Sequence, residues 1–169
     1  KTEDVKYFNY LEEMFYYLFK VKPKIRSRED GISLTINRKR VLEELETHGL
    51  KRGKKAKSIR IPRSILRNKG LAISFLRGLI DTDGCITFKK EKSDYPVIEI
   101  RSASKYLIHD ISKILKSVNI KNCIYTSMRD TPFGRFRTYG LDINGKTNFN
   151  RWMNFIGFKN PKHLTKIAV

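Results

Sequence analysis

Two stretches of the chain repeat one another without a gap. Lys6-Tyr7-Phe8 through Lys22-Pro23-Lys24-Ile25 runs in step with Lys105-Tyr106-Leu107 through Lys121-Asn122-Cys123-Ile124. Each reads as an amphipathic helix leading into a strand. Its apolar positions are Phe8, Leu11, Phe15, Leu18 and Phe19 in the first copy, and Leu107, Ile111, Ile114, Leu115 and Val118 in the second. The parallel continues. Leu34-Thr35-Ile36-Asn37, a helix to His48 and Gly49-Leu50-Lys51 match Leu141-Asp142-Ile143-Asn144, a helix to Ile156 and Gly157-Phe158-Lys159. Gly49 and Gly157 both follow a helical pattern, where a left-handed closing residue is favoured. Self-similarity of this kind restricts the fold to copies of one supersecondary unit.

The second copy is preceded by further elements. Leu71, Phe75, Leu76 and Leu79 trace a helix, Cys85 to Phe88 alternates as a strand, and Pro96 to Arg101 gives another, with Ile98 and Ile100 on one face. Residues 71–169 thus read as a complete helix, strand, strand, helix, strand, strand, helix unit. Residues 1–70 read as the same unit cut short: it starts at the fourth element and ends in a basic connector from Lys51 to Lys69. The expected fold class is α+β, with two pseudo-symmetric αββαββα units of antiparallel sheet, the first lacking its leading helix and hairpin. A half-sheet left open exposes strand edges. The missing part is therefore expected from a segment upstream of Lys1 or from a second chain.

Charge narrows the partners. Across 169 residues, 36 Lys and Arg against 17 Asp and Glu give a net charge of +19, and the excess is not confined to a tail. Holding it on a compact domain costs self-repulsion, which a polyanion relieves. Phosphate contacts by Lys and Arg are the usual footprint of nucleic-acid binding. No apolar run approaches the roughly 20 residues that span a bilayer, so a soluble protein and no membrane partner are expected. Two cysteines cannot form a disulfide scaffold. Cys85 and Cys123 sit in strand-like apolar stretches and are expected as buried free thiols in a reducing, intracellular setting.

Leu76-Arg77-Gly78-Leu79-Ile80-Asp81-Thr82-Asp83-Gly84 concentrates the chemistry. A glycine inside an apolar helix costs about 1 kcal/mol relative to Ala unless another backbone packs there, so Gly78 suggests close helix–helix contact. Asp81 and Asp83 fall at the helix C-terminus, where the macrodipole disfavours negative charge. A divalent cation would compensate, and hard carboxylate oxygens suit Mg²⁺. An Asp-Gly turn into the next strand, with Asp81 capping locally, explains the same residues without a metal.

Leu76 through Gly84 resembles the motif that names the LAGLIDADG homing endonucleases, with Arg77 and Thr82 at the two alanine positions. The surrounding element order resembles one unit of that fold, the repeat resembles its two-unit arrangement, and the resemblance covers essentially the whole chain. It implies curved antiparallel sheets forming a DNA-binding saddle, and motif helices packed together, with Gly78 and Asp81 at their interface. It also implies a catalytic metal, Mg²⁺ or another divalent cation such as Mn²⁺, bound by the last acidic residue of each motif, here Asp83. A basic residue near the end of each unit is a second family feature; Lys159 holds that place, and Lys51 is its counterpart in the first copy. Where family members often carry a water-positioning Gln, this chain reads Arg101-Ser102-Ala103.

The activity so implied is that of a site-specific endonuclease, intron-encoded or of intein origin although nothing in the chain resembles splicing ends, cutting both strands of DNA by metal-assisted phosphodiester hydrolysis. Divalent ions would activate water, and Lys159 and Lys51 would stabilise developing charge. The sheets would read a long target in the major groove. Alternation along the strands turns Arg26, Arg28, Ser33, Thr35, Thr87, Lys89, Glu99, Arg101, Tyr125, Ser127, Arg129 and Thr138 away from the core, a polar set suited to base edges. Two other readings stay open. One is a non-catalytic nucleic-acid-binding module of the same fold, an intron splicing cofactor or transcription regulator. The other is a nuclease of the Asp…Glu-x-Lys type using Asp83 or Asp94 with Glu99-Ile100-Arg101; Arg in place of Lys, and the unexplained repeat, count against it.

Overall fold

A computed structural model describes residues 2–28, 31–50, 52–89, 95–132 and 134–167, with the side chains of 2–4, 27–28 and 31–32 outside the description. The elements in chain order are α1 (Thr2–Phe19), β1 (Lys24–Arg28), β2 (Gly31–Thr35), α2 (Lys39–Thr47), α3 (Arg63–Arg67), α4 (Lys69–Asp83), β3 (Cys85–Phe88) and β4 (Pro96–Ser102). They continue as α5 (Lys105–Ser117), β5 (Cys123–Thr131), β6 (Gly134–Asn144), α6 (Lys146–Phe155) and α7 (Pro161–Ile167). No described helix is long and apolar enough to cross a membrane.

The chain forms two compact units. One comprises Lys1–Leu50 with Asn160–Val169, the other Lys51–Lys159. The division differs from a boundary at residue 70: the basic connector packs with the second unit, and α7 packs on α1 in the first.

In the first unit β1 and β2 form an antiparallel pair, with Ile25 opposite Leu34 and Arg26 opposite Ser33. Tyr7 and Val41 are buried here. Leu18, expected on the apolar stripe, is exposed, whereas Tyr7 is not. Phe8, Leu11, Phe15 and Phe19 are half-buried as expected, so only the edge of the α1 stripe differs, with Tyr7 covered and Leu18 outside it.

The second unit holds a four-stranded antiparallel sheet in the order β3-β4-β6-β5. Ile86, Ile98 and Ile143 stand in one cross-strand row, and Ile100, Leu141 and Ile124 in the next. Most of this face is covered by helices: Ile86, Ile98, Ile100, Leu141 and Ile143 are buried with Leu76 and Ile80 of α4, Ile108, Ile111 and Leu115 of α5, and Trp152 of α6. Trp152 packs against Phe158, ring centroids 5.6 Å apart. Gly157 closes α6 at φ +68, the left-handed conformation expected there.

The connector is pinned by a charged contact that sequence periodicity does not reveal. The buried Asp110 carboxylate of α5 accepts from Arg60 Nε (3.2 Å) and Nη2 (3.0 Å) and from the Ile61 N–H (3.4 Å). The Arg60 guanidinium lies 5.4 Å from the Tyr106 ring centroid, and Asp110 raises its pKa through the hydrogen bond and its charge. Ser104, which caps α5 at the Leu107 N–H, also donates to the Ile59 carbonyl at 2.7 Å.

Candidate catalytic carboxylate and nucleic-acid interface

Helix α4 begins under a side-chain cap, Asn68 Oδ1 accepting from the Leu71 N–H at 3.0 Å, and its end is shaped by the motif. The Gly84 N–H donates to the Ile80 carbonyl at 3.0 Å. A Cβ on Gly84 would stand 2.7 Å from that same carbonyl oxygen, a backbone clash that no rotamer relieves, so glycine is required where the chain turns into β3. Arg77 Nε donates to the Ile156 carbonyl at the end of α6. Gly78 is exposed, and a Cβ there would meet nothing within 4 Å, so no contact among the described residues demands it.

The two aspartates part company. Asp81 is buried, and its carboxylate accepts the Lys159 backbone N–H at 3.0 Å (Oδ2) and 3.3 Å (Oδ1). Asp83 is exposed, two residues further along the same helix end. Thus Asp81 acts as a fastener that fixes the backbone of exposed Lys159 beside the terminus that presents Asp83. Lys51 lies outside the described residues, as does Asp94. Among the described residues no group of three or more His, Cys, Asp or Glu side chains could hold a metal. At the end of α4, the exposed carboxylate among the described residues is that of Asp83.

The sheet face opposite the helices carries the other expected residues. Cross-strand pairing sets Arg101, Gly140 and Tyr125 in one row, Ser127 opposite Thr138, and Arg129 opposite Phe136. A neighbouring row is Cys85, Glu99, Asp142 and Cys123, and beyond it stand Thr87, Val97 and Asn144, with Lys89 following β3 in step. In the first unit Arg26 and Ser33, and Lys24 and Thr35, share a face, and Arg28 is opposite Gly31. Both cysteines are exposed, not buried as expected. The cause is parity: Ile86 and Ile124 take the helix-covered side, which puts Cys85 and Cys123 on the open one, on strands at the sheet edges.

Asp142 belongs to this face although it was not among the expected residues. The signal was present, since Leu141 and Ile143 turn inward. Lys89 Nζ reaches Asp142 Oδ2 at 3.4 Å and Glu99 Oε1 at 3.8 Å, and Thr87 Oγ1 donates to Glu99 Oε1 at 3.2 Å. Tyr125 lies over Gly140. A Cβ on that glycine would overlap the phenol ring and hydroxyl. Burial raises the Tyr125 pKa, the nearby Asp142 charge adds to the rise, and Arg101 opposes it.

Gly140→Ala should therefore displace Tyr125 from its seat and bring its phenol back toward the ordinary value near about 10. In the parent, a raised folded pKa contributes stability that is complete below the unfolded value and is lost as pH climbs through the folded one. NMR titration of ¹³Cζ-labelled tyrosine should show one resonance moving to lower pKa in the variant; an unchanged set of titrations would sink this account of the seat.

Residues 71–157 match the family described as LAGLIDADG-like domain. The chain is also 34% identical over 118 residues to the protein named "Probable translation initiation factor IF-2" from Thermococcus kodakarensis, covering 68% of this chain and 9% of that one. It is 30% identical over 173 residues to the replication factor C small subunit of Methanocaldococcus jannaschii, covering 96% and 8%. It is 30% identical over 117 residues to the replicative DNA helicase DnaB of Synechocystis, covering 69% and 13%. The chain thus spans only about a tenth of the length of these relatives. The motif from Leu76 to Gly84, the strand pair after it and the match through α6 agree: the chain belongs to the LAGLIDADG-like domain family.

Proposed function

We propose that the chain is the DNA-reading and half-catalytic part of a homing-endonuclease-type nuclease, cutting both strands of one long target. Family membership points to a nuclease of this type. The observation that carries the finer reading is the end of α4, where a buried Asp81 holds the backbone of Lys159 beside an exposed Asp83. An exposed carboxylate at a helix end to which the backbone of an exposed lysine is tied supports phosphodiester hydrolysis, which needs a hard ligand and a cation near developing negative charge.

Asp83 would hold the divalent cation, Mg²⁺ or Mn²⁺. When bound, such a cation supplies Lewis-acid charge and an activated water. Lys159, and Lys51 at the matching place in the first copy of the repeat, would stabilise charge on the phosphate. Arg101, Tyr125, Ser127, Thr138 and Arg129 would read base edges in the major groove, joined by Arg26, Arg28, Ser33 and Thr35 of the first unit. The second acidic residue must come from another helix. We place that helix, with its hairpin, in a further αββ segment of the same pseudo-symmetric design, contributed upstream or by a second chain. Gly78 would be its packing point on α4. The recurrence of this segment as a small part of three proteins with unrelated names supports an element carried within host reading frames.

The test is selection of duplexes from a randomised pool, followed by incubation with Mg²⁺ or with a chelator. Enrichment of one extended sequence, cut only with metal present and with the further αββ segment supplied alongside the chain, is expected. Enrichment without any strand scission would leave the non-catalytic binding module as the reading.

A further inference from the structure

On a chain with a net charge of +19, the open sheet face holds two carboxylates side by side. Glu99 and Asp142 are direct cross-strand partners. Like charges so placed destabilise a sheet, and they repel a DNA backbone. Lys89 lies between them, 3.8 Å from Glu99 and 3.4 Å from Asp142. The three side chains differ in what they offer to a ligand. Asp142 is 14% exposed, and its Oδ1 is buried with no hydrogen-bond partner among the described residues; Glu99 is 20% and Lys89 48% exposed. Asp142 has one oxygen buried and the other turned to Lys89, whereas the half-exposed ammonium and the Glu99 carboxylate set a donor beside an acceptor.

We infer that Lys89 and Glu99 select a G·C base pair and that Asp142 is the residue that positions Lys89 for it. This rests on the reading of the sheet as a major-groove surface. In that groove guanine presents O6 and N7 as acceptors, and its partner cytosine presents the N4 amino group as a donor. Lys89 meets the first and Glu99 the second. Thr87, donating to Glu99, leaves the carboxylate oriented. Two carboxylates beside one ammonium disfavour use of Lys89 as a phosphate contact, because a phosphate would bring a third full negative charge to the same spot.

The experiment is the duplex selection repeated with Asp142→Asn, Glu99→Gln and Lys89→Gln, each sequenced to give base preference by position and each checked by thermal melting. The parent should demand G·C at one position, and each variant should relax that demand by about 5- to 150-fold while preferences elsewhere persist. Loss of Asp142 as a purely structural residue would weaken all positions together, which overturns the assignment. So would a profile unchanged in all three variants. Should Asp142→Asn fail to fold, the two surface variants carry the same test. If the parent enriches no sequence at all, the DNA-reading proposal falls first and this one with it; an intact parent profile with unaltered variants removes this one alone.

Discussion

An Asp83→Asn variant should keep its fold and duplex affinity and lose strand cleavage by about 10²- to 10³-fold or more, the scale on which removal of one preorganised charge-handling group acts. The fold should survive because Asp83 is exposed and its neighbour Asp81, not Asp83, makes the buried contact to the Lys159 N–H. The amide keeps the size and removes the charge, so a cation loses its ligand while the helix end is if anything relieved of an unfavourable charge. Gel mobility on the selected duplex and cleavage in Mg²⁺ separate the two properties. Equal cleavage by parent and variant would mean the carboxylate has been misassigned.

Leu76→Ala should cost about 2–5 kcal/mol, the range for truncating a buried leucine in a core that cannot collapse around the hole. Leu76 is fully buried and faces the sheet together with Ile80. It is the first residue of the motif, yet its burden is packing and not chemistry. Denaturant unfolding followed by circular dichroism measures the loss. A change below about 1 kcal/mol would show that α4 is held by something other than its inner face.

The second unit was largely legible from the alternation of apolar and polar residues. Ile86, Ile98, Ile100, Leu141 and Ile143 line the helix-covered side, and the same parity set Thr87, Glu99, Arg101, Tyr125, Ser127 and Thr138 opposite. A two-residue period is robust because a slip by one would exchange every side chain between faces. Local composition misled where it was preferred to parity: the cysteines lie among apolar neighbours and yet face outward. Leu18 on α1 erred for a related reason, since a helix stripe drawn from hydrophobicity alone does not reveal how far round the covered arc extends. Pairings between residues distant in the chain, Arg60 with Asp110 and Lys159 with Asp81, leave no periodic trace, because each depends on tertiary approach. Glu99 with Asp142 is intermediate: the faces were readable, the register was not.

Helix α7 packs on α1, although the whole of the other unit lies between them in the sequence. On a ribosome, where elongation runs at roughly 5–20 residues per second, α1 must wait for α7 while Lys51–Lys159 can already close upon itself. Of these two units, the one that contains α1 is therefore completed after the other, and its tyrosine-rich helix stays uncovered by α7 in the interval.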